Sequence, residues 1–162
     1  MSTEKTPVTP AIRQLRQAKV EFVDQLYDYE VKGGTAVAAR ELGIDEHATV
    51  KTLVMEDERH NPLLILMHGD CQVSTKELAR VIGVKSITPC TPETATKHTG
   101  YLVGGTSPFG TRKTLPVYME ATIADLPLIY INGGKRGYLV SIKPAELVRV
   151  LQPIAVRVGL AD

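Results

Sequence analysis

The 162-residue sequence has no long apolar run, almost no net charge and few cysteines. No stretch approaches the roughly 18 consecutive apolar residues of a membrane-spanning helix, so a helical membrane protein is excluded and no membrane partner is expected. The opening MSTEKTPVTP carries no apolar core of signal-peptide type, which makes the expected compartment cytoplasmic. With Cys71 and Cys90 as the only cysteines, a disulfide scaffold is excluded, and both are expected as free thiols in a reducing cell. Nineteen basic against eighteen acidic residues rule out broad coating of nucleic acid but leave room for a local cationic patch. Repeats, linkers and low-complexity tracts are also missing. What remains, 43% apolar and 23% charged, fits one soluble domain over residues 9–162 behind a flexible N-terminus at 1–8.

Local signals give a mixed α/β order. Thr9 followed by Pro10 starts a helix carrying Ala11, Ile12, Leu15 and Ala18. Residues 20–23 and 25–29 read as extended, and after Gly33-Gly34 a short Ala-rich helix capped by Thr35 ends at Gly43. Strands are expected at 49–55 and 63–67. Ser74 and Glu77 form a capping box for a helix that Gly83 ends, and Thr91-Pro92 opens another. Strands at 115–123, 128–131 and 138–142 follow, then a helix from Pro144 and a short strand within 154–158. The expected fold class is α/β (α+β), a single domain with a strand-rich second half.

Three stretches carry chemistry. The first is YLVGGTSPFG at 101–110. A nucleophile elbow, G-x-S-x-G, needs the backbone N–H after the serine; here the spacing is one residue too long and Ser107 precedes Pro108, which has no N–H. A phosphate loop needs Lys and then Ser or Thr after its last glycine, but Thr111 and Arg112 follow Gly110. What survives is backbone: Gly104 and Gly105 permit close approach of a ligand and can aim N–H groups at a carbonyl oxygen, unless they only serve a tight turn. No metal is expected, since His68 and Cys71 lack a second pair at ligand spacing and His47, His60 and His98 are scattered.

The second stretch is the strand at 49–55, where alternation puts Lys51 on the face of Leu53 and Met55. An ammonium there either snorkels from a strand end or lines a pocket and meets a polar or anionic group. The third is NGGKRG at 132–137, a basic hairpin turn or a contact for a polyanion.

Together, VKTL at 50–53, TGYLVGGTSPFG at 99–110 and YINGGKRG at 130–137 resemble the YbaK/EbsC family, free-standing relatives of the editing domain inserted in bacterial prolyl-tRNA synthetases. The resemblance runs from about Thr9 to Leu151. It implies a mixed, barrel-like sheet surrounded by helices, and hydrolysis of an aminoacyl ester without metal or cofactor; the archetype is a Cys-tRNA(Pro) deacylase. It implies that Lys51, Gly104 and Gly105 are catalytic. Tyr29, Thr52, Thr106, Ser107, Pro108, Phe109, Asn132, Gly133 and Gly134 would bind substrate. Arg112, Lys113, Lys135 and Arg136 are candidates for touching tRNA. The implied partners are the acceptor end of an aminoacyl-tRNA and a prolyl-tRNA synthetase. The attacker would be the substrate's own thiol, or an oriented water for other amino acids, leaving Cys71 and Cys90 without a catalytic part.

Departures bear on specificity. Gly33-Gly34 stand where an aromatic pocket residue is expected, Asn132 replaces Ser, and Leu139 replaces Asp. A more open pocket points also to Ala, Ser or Thr as the amino acid cleared. A module that binds aminoacyl-tRNA or a synthetase without hydrolysis is the main rival; a nucleotide-binding regulator is disfavoured by the failed phosphate-loop spacing.

Overall fold

The computed structural model describes residues 7–161; residues 1–6, most of the segment expected to be flexible, lie outside the described residues. The elements in chain order are α1 (Pro10–Gln17), β1 (Val23–Leu26), α2 (Gly34–Leu42), β2 (Thr49–Asp57), β3 (Pro62–His68), β4 (Cys71–Val73), α3 (Thr75–Ile82), β5 (Ile87–Pro89) and α4 (Pro92–Thr99). They continue with β6 (Val117–Glu120), β7 (Ile129–Lys135), β8 (Tyr138–Ile142), α5 (Pro144–Leu151), β9 (Ile154–Val156) and β10 (Gly159–Ala161).

Helix ends follow side-chain chemistry, with two corrections. Thr9 Oγ1 accepts the Ile12 N–H at 3.1 Å and Thr91 Oγ1 the Thr94 N–H at 3.3 Å, each ahead of a first-turn proline. Thr35 does not cap α2, whose N-cap is Gly33. Its hydroxyl is drawn instead to the Glu46 carboxylate (2.8 Å) and the Gly69 carbonyl (3.1 Å). The capping box of α3 is half formed. Ser74 Oγ accepts the Glu77 N–H at 3.2 Å, but the Glu77 carboxylate pairs with Arg80, and the Ser74 N–H donates to Val158 C=O at 2.8 Å.

The expected strands change at their ends. Of residues 20–29 only Val23–Leu26 pairs. The strand expected at 115–123 begins at Val117, because Pro116 lacks an N–H and offers only its carbonyl, to Leu64 N–H at 2.9 Å. It ends where Ala121–Asp125 winds into a 3₁₀ turn. The strand expected at 128–131 continues through Gly133 and Gly134, which sit in a bulge between Asn132 and Lys135. Strands β4, β5 and β10 have three residues each, too few for a period to register in sequence.

The main sheet is mixed and runs β1-β8-β7-β2-β3-β6-β9, with β5 added on β2; β10 and β4 form a separate pair. Among the described residues β1 and β9 do not pair, so the sheet stays open rather than closing by hydrogen bonds. Alternation on the central strands builds the core on both faces of the sheet, in two larger clusters and a smaller one of Val54, Leu64, Ala95 and Leu115. Val50 and Leu66 face a cluster with Ile12 and Leu15 of α1, Leu147 of α5 and Phe109. Met55, Ile65 and Met67 face the other way, against Leu78 and Ala79 of α3.

The feature that places the site is a change of partner along β2. One edge of β2 pairs with β3 over its length, Val50↔His68 to Glu56↔Pro62. The other edge pairs in parallel with β7 only at Thr49 and Val50, and antiparallel with β5 only from Met55 to Asp57. Val54 C=O accepts Cys90 N–H at 3.0 Å on this second edge. Peptide groups alternate edges along a strand, so those of Thr52 also point away from β3, into the gap that β7 and β5 leave.

Phe109 is fully buried in the first core. Phe109→Ala is expected to lower the unfolding free energy by about 3–5 kcal/mol in urea denaturation; a loss under about 1 kcal/mol would mean that the ring does not anchor the core.

Candidate functional site

A cavity of ≈ 580 Å³ opens at this gap. Its floor is β2 from Val50 to Met55; both faces of the strand contribute because the free edge itself is exposed to the cavity. Val37 and Ala38 of α2, Tyr27 and Tyr29 after β1, and Pro89 and Cys90 after β5 form walls. The rim is closed by Gly104 and Thr106 from the glycine loop and by Asn132, Arg136 and Leu139 from the β7–β8 hairpin.

Lys51 lines this cavity, on the β2 face of Leu53 and Met55 as alternation requires, and is partly buried. It makes no hydrogen bond or ion pair among the described residues. Thr52 faces the other way, between Val50 and Val54, and its buried hydroxyl finds no hydrogen-bond partner. A partly buried ammonium, an orphan hydroxyl and an unpaired strand edge leave polar groups waiting for a guest or for water.

The glycine loop divides in two. Gly104 has φ +93°, and a Cβ there would lie 3.1 Å from the Tyr29 ring and closer still to its hydroxyl, so glycine is required for conformation and for space. Its carbonyl accepts Asn132 Nδ2–H at 3.3 Å. The Gly105 N–H is committed to Leu102 C=O at 2.8 Å, and a Cβ on Gly105 would meet the Arg136 nitrogen at 2.7 Å. Of the two glycines only Gly104 lines the cavity, and its N–H makes no hydrogen bond among the described residues. Beyond Thr106 the loop turns inward. Ser107 and Phe109 are fully buried, and Tyr101 Oη donates to Phe109 C=O at 2.6 Å. Pro108 lines a second cavity beside α1.

Gly133 and Gly134 are away from the main cavity wall. A Cβ on Gly133 would lie 2.5 Å from the Tyr138 ring, and one on Gly134, at φ +98°, would lie 2.8 Å from Tyr101. The bulge they form is held by Asn132 Oδ1, which accepts the N–H groups of Gly134 (2.6 Å) and Lys135 (3.1 Å). The glycines thus shape the hairpin that presents Asn132.

The four cations separate likewise. Arg136 lines the cavity and acts as a latch: Nε donates to Val103 C=O at 2.9 Å while the guanidinium lies 5.3 Å from the Tyr29 ring centroid. Arg112 packs over the C-terminal end of α4, its Nη1 3.5 Å from Lys97 C=O. Lys113 Nζ lies 3.2 Å from His98 Nδ1, and burial, then this lysine, lowers the His98 pKa. Lys135 is exposed and off the cavity wall.

Tyr27 and Cys90 also line the cavity and carried no sequence signal, since each enters through a strand pairing that local periodicity does not encode. Burial, then the nearby Glu56, pushes the Cys90 thiol up to about 11. Near neutrality only about one Cys90 in ten thousand is a thiolate, which makes it a poor nucleophile. Burial and then Tyr29 raise the pKa of Tyr27.

Residues 30–150 match the family model for the aminoacyl-tRNA editing domain. The chain is 28% identical over 150 residues to an Enterococcus faecalis protein named as a Cys-tRNA(Pro)/Cys-tRNA(Cys) deacylase, EbsC, covering 91% of this chain and 92% of that one. It is 36% identical over 69 residues to a proline–tRNA ligase of Thermodesulfovibrio yellowstonii, which covers 43% of this chain and 12% of the ligase. Two solved structures share the fold. The hypothetical protein APE2540 has TM-score 0.86 at 20% identity, over 94% of this chain and 100% of that one. A protein described as a trans-editing enzyme for prolyl-tRNA synthetase has TM-score 0.80 at 22% identity, over 96% and 100%.

The raised Cys90 pKa has a direct readout. In a Cys71→Ser variant, alkylation of Cys90 by iodoacetamide should be slower at pH 8 than that of a free thiol and rise about tenfold per pH unit toward pH 10; a rate that levels off near pH 8 would contradict the buried, neutral thiol.

Proposed function

The chain belongs to the aminoacyl-tRNA editing domain family, and from that premise we propose that it is a trans-acting deacylase. Its substrate is mischarged tRNA presenting an aminoacyl ester at the acceptor end, with Cys-tRNA(Pro) as first candidate. The observation that carries this reading is the unpaired Lys51 ammonium on the same cavity as Gly104, where the lining thiol, Cys90, is held neutral.

An aminoacyl ester is already activated, so the protein's task is to hold it and to stabilise the oxyanion that forms on its carbonyl. The Gly104 N–H, fixed by its left-handed backbone and by the Asn132 contact, is the proposed oxyanion donor; one such donor contributes about 3–4 kcal/mol to the transition state. Lys51 holds the terminal ribose and phosphate. The attacker is the substrate's own side-chain thiol for cysteine, or a water held at the free β2 edge near Thr52. The attacker bonds to the carbonyl carbon as the ester bond breaks, so the acyl group leaves as a thiolactone or as the free amino acid, and the attacker's proton ends on the released tRNA hydroxyl. Arg136 has a positioning role through Val103 and Tyr29, and Lys135 remains the freest cation for contact with phosphates. Association with a prolyl-tRNA synthetase is proposed as the source of selectivity among tRNAs.

Two observations favour a second amino-acid range. Leu139 presents an apolar wall, and Gly34 lines the cavity at the Gly33-Gly34 pair where an aromatic pocket residue is expected. Ala and Ser are therefore included with Cys as candidate acyl groups.

The test is incubation with tRNA(Pro) charged with Cys, Ala or Ser. Wild type should release at least one of them, and Lys51→Ala and Gly104→Ala should each lower kcat/KM by about 100-fold while keeping the wild-type circular dichroism. Equal rates for wild type and Lys51→Ala would remove Lys51 from the mechanism. Binding of a non-hydrolysable aminoacyl-adenosine without turnover of any ester would select the binding module instead.

A further inference from the structure

Spacing in sequence sets Cys71 beside His68, but the fold sets it beside His47 and Asp70. A ring nitrogen of His47, a carboxylate oxygen of Asp70 and the Cys71 sulfur lie within 4.8 Å of one another. His47 Nδ1 is 2.8 Å from Asp70 Oδ1, and Cys71 Sγ is 3.5 Å from the same oxygen. From these donors we infer that this chain holds a divalent transition-metal site of the zinc type. It lies close enough to the cavity floor that the Lys51 ammonium acts on Cys71.

The donor set decides the metal class. One imidazole nitrogen, one carboxylate oxygen and one thiolate are borderline ligands that suit Zn²⁺ and exclude Mg²⁺ or Ca²⁺, which take oxygen donors. Bonds of about 2.0–2.3 Å in a tetrahedron put ligand atoms roughly 3–4 Å apart, close to the separations already present. The His47 and Asp70 side chains are each 42% exposed, so an ion can enter and the fourth position belongs to water. On binding, the Cys71 proton leaves to solvent, the coordinating ring nitrogen is the unprotonated one, and the His47–Asp70 hydrogen bond gives way to two metal bonds.

The ligands are also held in place, as a metal site requires. The His47 ring stacks on His68 at 3.8 Å between centroids and 6° between planes. His68 is buried with both nitrogens engaged, Nδ1 at 2.8 Å from His47 C=O and Nε2 at 2.7 Å from Thr122 Oγ1. Asp45 Oδ1 accepts the His47 N–H at 3.0 Å. The segment bearing Asp70 is tied to that bearing His47 by Gly69 N–H to Thr49 C=O at 2.8 Å, and by Thr35 between Glu46 and Gly69. The other carboxylate acting on Cys71, that of Glu120, is already bonded to the Val158 and Gly159 N–H groups at 2.7 and 2.9 Å. That carboxylate is thereby committed, which leaves the ligand set at three.

Cobalt(II) titration of the full-length, metal-stripped protein tests this independently of any deacylation. One equivalent should produce a near-ultraviolet thiolate-to-cobalt charge-transfer band that is lost in Cys71→Ser, retained in Cys90→Ser, and shifted to at least about tenfold weaker affinity in Asp70→Asn and His47→Gln. One equivalent of Zn²⁺ should also protect Cys71, but not Cys90, of the wild type from iodoacetamide, read by mass spectrometry. This second measurement decides the matter if a variant fails to fold. Absence of the band, its persistence in Cys71→Ser, or no protection of Cys71 would overturn the site.

Discussion

One edge of β2 cannot pair with β7 and β5 at the same residues, and between them the peptide groups of Thr52 are left without a strand partner. Parallel β7 departs after Val50 and antiparallel β5 arrives at Met55. An unpaired peptide edge inside a sheet is costly unless water or a guest reaches it. The cavity satisfies that requirement, and it exists because the sheet forks. Every other part of the candidate site is arranged around this fork: α2 and the tyrosines on one side, the glycine loop and the β7–β8 hairpin across the mouth.

The glycine loop shows how a short segment serves both stability and chemistry. Its buried half, Ser107 to Phe109, plugs the larger core and is held by Tyr101. Its exposed half carries Gly104, held from one side by Asn132 and near Val103 by Arg136. A backbone donor anchored in this way needs little reorganisation when charge develops on a bound carbonyl, which is the condition under which such donors act strongly. Arg136 and Asn132 are then understood through the loop they hold, and Gly133 and Gly134 through the bulge that aims Asn132.

Much of this was legible in the sequence, for physical reasons that differ from element to element. Thr9-Pro10 and Thr91-Pro92 announce helices because capping is local chemistry. Alternation put Lys51 on the correct face because the side-chain period of a strand is two. The family resemblance supplied the mixed α/β fold, a single domain with a mixed sheet and helices around it. The sheet fork was not legible, since it depends on where two distant strands part company. Thr35 and Glu77 have the right residue types for caps but meet stronger tertiary partners, Glu46 and Arg80. Ser107, Phe109, Gly133 and Gly134 look alike in a motif, and only their burial separates packing from cavity lining. The cluster of His47, Asp70 and Cys71 was hidden because its two segments are joined by strand pairing rather than by spacing.

The central claim is that the forked sheet, with Gly104 above it and Lys51 in its floor, receives an acyl group linked to adenosine. The most direct measurement is a crystal structure with a non-hydrolysable, amide-linked aminoacyl-adenosine. The account predicts the ligand carbonyl within hydrogen-bond distance of the Gly104 N–H, the ribose beside Lys51, and the free edge of Thr52 engaged by the ligand or by a water next to it. A ligand bound elsewhere, or bound here with its carbonyl turned away from Gly104, would contradict it.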